Sequence, residues 1–178
     1  LLMSHGNFFW YDLVSQDPAA SRAFLTRLFG WVSSEATMPD GTPYTSFSSG
    51  GHLICGLMPL TPDNNYDQGR AYWVTYLHVD RLFSTVTRAE RHGGQIISEV
   101  KPVPDLGSYQ VLRDPDGGLI ALVEARASVL SPGFQWNSII WNELMCRNSA
   151  RCADFYRAVT GWVHAPGEAD LNYDFFTQ

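Results

Sequence analysis

The sequence is most informative first in what it lacks. Twelve Lys and Arg against eighteen Asp and Glu leave a net charge of −6, and no basic run breaks the chain. That argues against nucleic acid or an anionic membrane as the main partner. No apolar stretch approaches the ~20 residues needed to span a bilayer. The opening LLMSHGNFFW has neither the basic n-region nor the small-residue cleavage site of a secretion signal, so a cytoplasmic location is expected. Cys55, Cys146 and Cys152 are odd in number and form no C-x-x-C pair. Reduced thiols fit that pattern better than a disulfide framework does.

What the chain does have is apolar mass and repetition. Its 178 residues are long for one small domain and short for two, and 45% apolar content with 13% aromatics is ample for a core. WYDLVSQDPAASRAFLTRLFGW, from Trp10, returns as WNELMCRNSARCADFYRAVTGW, from Trp141, at one fixed offset and without a gap. Leu13 meets Leu144, Ala19 meets Ala150, Phe24 meets Phe155, and Gly30 meets Gly161. Asp12 meets Glu143 and Asp17 meets Asn148, so chemistry persists where identity does not. Two copies of one supersecondary unit are expected.

Each copy reads as a strand feeding a helix. FFWYDLV is aromatic and β-branched. Asp17 stands at the N-cap, Pro18 at the first helical position and Gly30 just past the end. Ala20, Phe24 and Leu28 recur every fourth residue and predict one buried stripe. In the later copy Asn148 is the cap, Phe155 and Val159 are on the stripe, Gly161 is the stop, and the stretch before the cap is expected to be a strand as in the first copy. Between the copies, YTSFSS and HLICGLM read as strands and LTPDNNYDQGR as a connection. A weaker version of the unit follows: strand YWVTYLHV, a helix marked by Leu82, Phe83, Val86 and Ala89, then strands QIISEV, SYQVLR and LIALVEA. The last two are joined by the turn DPDG, Asp114 to Gly117. Sliding the first unit by 64 places sets Leu13 on Leu77 and Gly30 on Gly94.

This order of elements resembles the vicinal oxygen chelate superfamily of glyoxalases, bleomycin-resistance proteins and extradiol dioxygenases. The phrases that carry the resemblance are L-x-x-x-D-x-x-x-x-x-x-F before FGW, and VDRL…RHGG…DPDGGLIALVE. The FGW and TGW endings resemble a subgroup with two such domains in tandem. The resemblance implies an α+β fold of paired β-α-β-β-β units curled into a half-open barrel. Residues 8–125 would be one complete domain (units 8–60 and 72–125), residues 126–133 a linker, and residues 134–178 the start of a second domain.

The superfamily's cavity holds a divalent metal on His, Gln and Glu side chains of the first and last strands. Carried over position by position, those ligands fall on Trp10, Val74 and Ala121, and the remaining acid would lie in HLICGLM, which contains none. In the third unit the matching position is Trp141. A metal needs lone pairs, whereas an indole nitrogen only donates and Val and Ala offer nothing. The expectation is therefore an inherited fold without a metal or other cofactor. A cavity lined by Trp10, Asp12, Val74, Tyr76, His78 and Ala121 would take a small, planar organic molecule. An indole contributes roughly 4–6 kcal/mol of gross apolar contact to such a ligand.

Two enzymatic alternatives stand beside that reading. One is a metal-dependent lyase, isomerase or dioxygenase, as the fold family suggests. The other is a cofactor-free acid–base enzyme, for which His78, Asp12 and Tyr76 are the candidates because strand alternation puts them on the cavity face. Residues 134–178 carry Trp136, Ile140, Trp141, Phe155 and Phe175 that a fragment cannot bury alone. A homodimer through that segment is the expected remedy, with docking of the tail on its own first domain as the other.

Overall fold

Period-2 aromatic and β-branched runs give strands here, and Asp/Asn caps with glycine stops give helices. The computed structural model describes residues 4–103, 105–126, 137–166 and 173–177. Most of the linker, together with Phe134 and Trp136, lies outside the described residues. The chain is of the α+β class and divides into two compact units. One comprises Trp10–Thr75 with the described part of Pro132–Asn142; the other comprises the described parts of Leu1–Phe9, Tyr76–Ser131 and Glu143–Gln178.

The first unit is a β-α-β-β-β arrangement. Strand β1 (Phe8–Ser15) contributes all but its first two residues to it, and α1 (Pro18–Phe29), β2 (Val32–Thr37), β3 (Pro43–Ser49) and β4 (His52–Pro59) follow. The strands lie in the order β2-β3-β4-β1. β2/β3 and β3/β4 are antiparallel, and β4 pairs β1 in parallel with Asp12 opposite Gly56. Its core gathers Leu25, Trp31, Phe47, Ile54, Cys55 and Leu57. Trp31 Nε1 donates to the Asn137 carbonyl at 2.8 Å, which satisfies the polar edge of a buried indole.

Helix α1 begins and ends where its sequence says. Asp17 accepts from the Ala20 amide at 2.9 Å, Pro18 opens the helix, and Gly30 closes it at φ 68°. Its expected buried stripe is overturned. Leu25 is the buried residue, while Phe24 is 62% and Leu28 57% exposed. The helix meets its own sheet along a different line, and the Phe24 stripe faces away from that core. Strand β2, polar throughout its centre, is an element the hydrophobic pattern does not signal.

The second unit holds the end of β5 (Tyr72–His78), then α2 (Leu82–Arg91), β6 (Gln95–Ile96), β7 (Lys101–Val103), β8 (Gly107–Arg113) and β9 (Leu119–Ala125). QIISEV thus yields only a two-residue strand, and β7 is a separate piece paired to β8. α2 lacks a capping side chain of its own; Glu124 on β9 accepts from the Leu82 amide at 2.7 Å instead. A carboxylate there also suits the positive end of the helix dipole.

Helix α3 (Ser149–Thr160) belongs to this unit and packs into its core. Cys152, Phe155, Tyr156 and Val159 join Leu82, Val86 and Ala89 of α2 in one buried cluster. Gly94 makes the approach possible: a Cβ there would stand 2.8 Å from Phe155. Asp114 fixes the DPDG turn by accepting from the amides of Asp116 and Gly118, and its other oxygen receives the Tyr156 hydroxyl at 3.0 Å. The strand expected before this helix does not form. Residues 141–147 carry no regular structure, although β10 (Val163–Pro166) and β11 (Asp174–Thr177) do form an antiparallel pair.

Candidate functional site

The expected site residues divide between the two units. Trp10, Asp12 and Val74 fall in the first, Tyr76, His78 and Ala121 in the second. In the first, alternation along β1 puts Trp10 and Asp12 on one face, as read from sequence. Trp10 Nε1 donates to Asp12 Oδ1 at 2.9 Å and also lies 2.9 Å from the Tyr44 hydroxyl. Tyr44 in turn donates to the same Asp12 oxygen at 2.7 Å. Asp12 is 4% exposed, and the indole of Trp10 is half-buried.

Gly56 creates the room for this arrangement. It lies opposite Asp12 on β4 and opposite Ser46 on β3, two residues from Tyr44. A Cβ at Gly56 would fall 1.8 Å from the Tyr44 hydroxyl and 2.1 Å from Asp12 Oδ1. No side chain can stand there while the triad is formed. Burial, and then the charge of Asp12, raise the Tyr44 phenol well above its ordinary range. The same two causes in the same order push the Cys55 thiol up to about 12. Cys55 is therefore a protonated core thiol at neutral pH rather than a nucleophile.

In the second unit His78 turns to the backbone. Its Nδ1 lies 3.1 Å from the Ser4 carbonyl, and its main chain pairs with Gly6 and Asn7. Tyr76 packs edge-on against Tyr109 with centroids 5.3 Å apart. Ala121 is fully buried and Val74 is 3% exposed. Tyr44 and Gly56 are the residues that sequence reasoning missed. Finding them requires the β3-β4-β1 register, which no local pattern encodes.

The match to the family model is extensive. Residues 7–122 match the Glyoxalase/Bleomycin resistance protein/Dioxygenase superfamily, and the chain belongs to that superfamily. Among curated relatives, the anthracycline biosynthesis protein DnrV of Streptomyces peucetius is 32% identical over 91% of this chain. The chain covers 62% of that relative, so it spans about three fifths of the length of such proteins. A solved Mn(II)-bound glyoxalase from Novosphingobium aromaticivorans matches 93% of this chain and 55% of its own, with TM-score 0.63 and 17% identity. A mutant of 4-hydroxymandelate synthase from Streptomyces coelicolor matches 92% of this chain and 55% of its own, at TM-score 0.62 and 17% identity. At that identity the two structures speak for the fold alone.

At the positions where the superfamily's ligands were expected, the side chains present do not fit a divalent metal. The indole nitrogen of Trp10 is a donor already engaged by Asp12 and Tyr44, and Val74 and Ala121 have no lone pairs. Among the described residues no three of His, Cys, Asp and Glu gather closely enough to hold an ion. Among the described residues, too, no helix is long and apolar enough to cross a membrane.

Proposed function

We propose that the protein binds a small, planar organic molecule without a metal, using the indole of Trp10 as the stacking surface. The observation that carries this reading is the replacement at the ligand positions: a held indole at residue 10, and side chains without lone pairs at residues 74 and 121. The name of DnrV supports the ligand class, since anthracyclines are flat polycyclic molecules. His78 meets the Ser4 carbonyl through Nδ1, a backbone contact that brings no acid–base partner to its ring. Asp12, on the same face of β1 and bonded to the Trp10 indole, belongs to this proposal as well.

Equilibrium dialysis with anthracene-2-sulfonate tests it. Binding should persist after exhaustive chelation, and Trp10→Ala should weaken it at least about tenfold, the loss of one large aromatic contact. Binding that needs added manganese or zinc, or a Trp10→Ala variant that binds as well as the parent, would end the proposal. The homodimer through residues 134–178 is a separate part of it. Phe155 and Tyr156 are buried within one chain, but Ile140 (66%), Trp141 (60%) and Met145 (95%) are exposed and offer a second copy apolar surface. Sedimentation as a monomer at micromolar concentration would count against that part.

A further inference from the structure

We infer that the preferred ligand is an electron-poor planar ring, a quinone rather than a plain aromatic hydrocarbon, because Asp12 enriches the indole of Trp10 through its N–H. The inference rests on the stacking reading above and adds a ligand class to it. Its basis is the ring of hydrogen bonds in which Trp10 Nε1 and the Tyr44 hydroxyl both donate to one oxygen of Asp12, itself 4% exposed.

An indole N–H that donates to a carboxylate shifts electron density into the ring. Water would screen that effect at a surface, but burial preserves it. The face of an aromatic ring is already its negative pole, and the carboxylate makes it more so. Such a face attracts rings depleted by carbonyl or nitro groups. The N–H itself is already engaged by Asp12 and Tyr44, so it is not left over for a ligand's carbonyl oxygen, and discrimination falls to the face. Tyr44 and Gly56 are positioning residues in this account. Tyr44 ties the carboxylate oxygen that meets the indole, and Gly56 leaves the space in which the three groups meet.

Anthraquinone-2-sulfonate and anthracene-2-sulfonate have the same charge and nearly the same outline but opposite electron demand. Titration calorimetry on the wild type should show the quinone bound about three- to tenfold more tightly, the range that aromatic pairing supplies. Asp12→Asn keeps the shape and removes the charge, so the ratio of quinone to hydrocarbon affinity should fall to about one. Equal binding by the wild type, or a ratio unchanged in Asp12→Asn, overturns the inference and leaves the stacking reading standing. Binding of neither probe overturns the stacking reading, and the inference falls with it. If Asp12→Asn does not fold, a ligand series on the wild type decides instead. Naphthalene-2-sulfonates bearing an amino group, no group and a nitro group should bind in order of increasing affinity, and no trend refutes the preference.

Discussion

Helices α1 and α3 are near copies in sequence, and their surroundings treat them oppositely. Asp17 and Asn148 cap them alike, accepting from Ala20 and Arg151, and Gly30 and Gly161 end them at φ 68° and 76°. Phe24 and Phe155 occupy the same place in the repeat. Phe24 is 62% exposed and Phe155 is fully buried. The cause is outside the helices: α3 lies against α2 and over Gly94, whereas among the described residues of its own unit no helix packs on the stripe of α1. Local sequence decides where a helix starts and stops. What its stripe is worth is decided by the neighbour it finds.

The sharpest way to break this comparison is to truncate the two phenylalanines. Phe155→Ala removes a fully buried ring from a packed cluster and should cost about 3–5 kcal/mol. Phe24→Ala exposes nothing further and should stay within about 0.5 kcal/mol. Urea denaturation of both variants measures the difference, and equal losses would mean that α1 is covered in solution.

Next in size is the hydroxyl at the partner position. Tyr156 stands where α1 has Leu25, and it donates to Asp114, which also holds the β8–β9 turn together. Tyr156→Phe should cost about 1–3 kcal/mol, because a buried carboxylate loses a donor. Protection of the Asp116 and Gly118 amides in hydrogen exchange should fall with it. Unchanged exchange there would show that the turn needs no help from α3.

These contrasts mark what the sequence can and cannot disclose. Caps, glycine stops and the DPDG turn were legible because each is settled within a few residues of chain. Trp10 and Asp12 were legible as face-mates because alternation is local too. The stripe of α1 is exposed where periodicity predicts burial, since periodicity names a face without naming what covers it. Residues 141–147 show a related limit. They share the aromatic, apolar character of β1, but β1 is a strand by virtue of its ladder with β4, and among the described residues no strand pairs with 141–147. Tyr44 and Gly56 escaped because their meeting with Asp12 depends on the pairing of three strands.

Smaller effects test whether the local part of the comparison is indeed local. Gly30→Ala and Gly161→Ala both force a Cβ into left-handed backbone, and neither glycine has an atom within 4 Å of where that Cβ would stand. The penalty is then conformational alone, about 1–2 kcal/mol in each helix. Thermal melts should show two equal shifts. A larger one at Gly161 would mean that the docked helix cannot relax its last turn to absorb strain.

The caps give the smallest and most demanding test. Asp17→Ala and Asn148→Ala each strip one amide of its acceptor at an exposed helix start, at a cost of about 1 kcal/mol. Asp17 also carries a charge beside the positive end of the helix dipole, which adds a few tenths of a kcal/mol that salt should remove. In 0.5 M sodium chloride the two variants should therefore lose the same stability by urea denaturation. If Asn148→Ala remains the costlier, the α3 cap is helping to hold the helix on α2, and the division between local signals and neighbour-dependent burial fails at that residue.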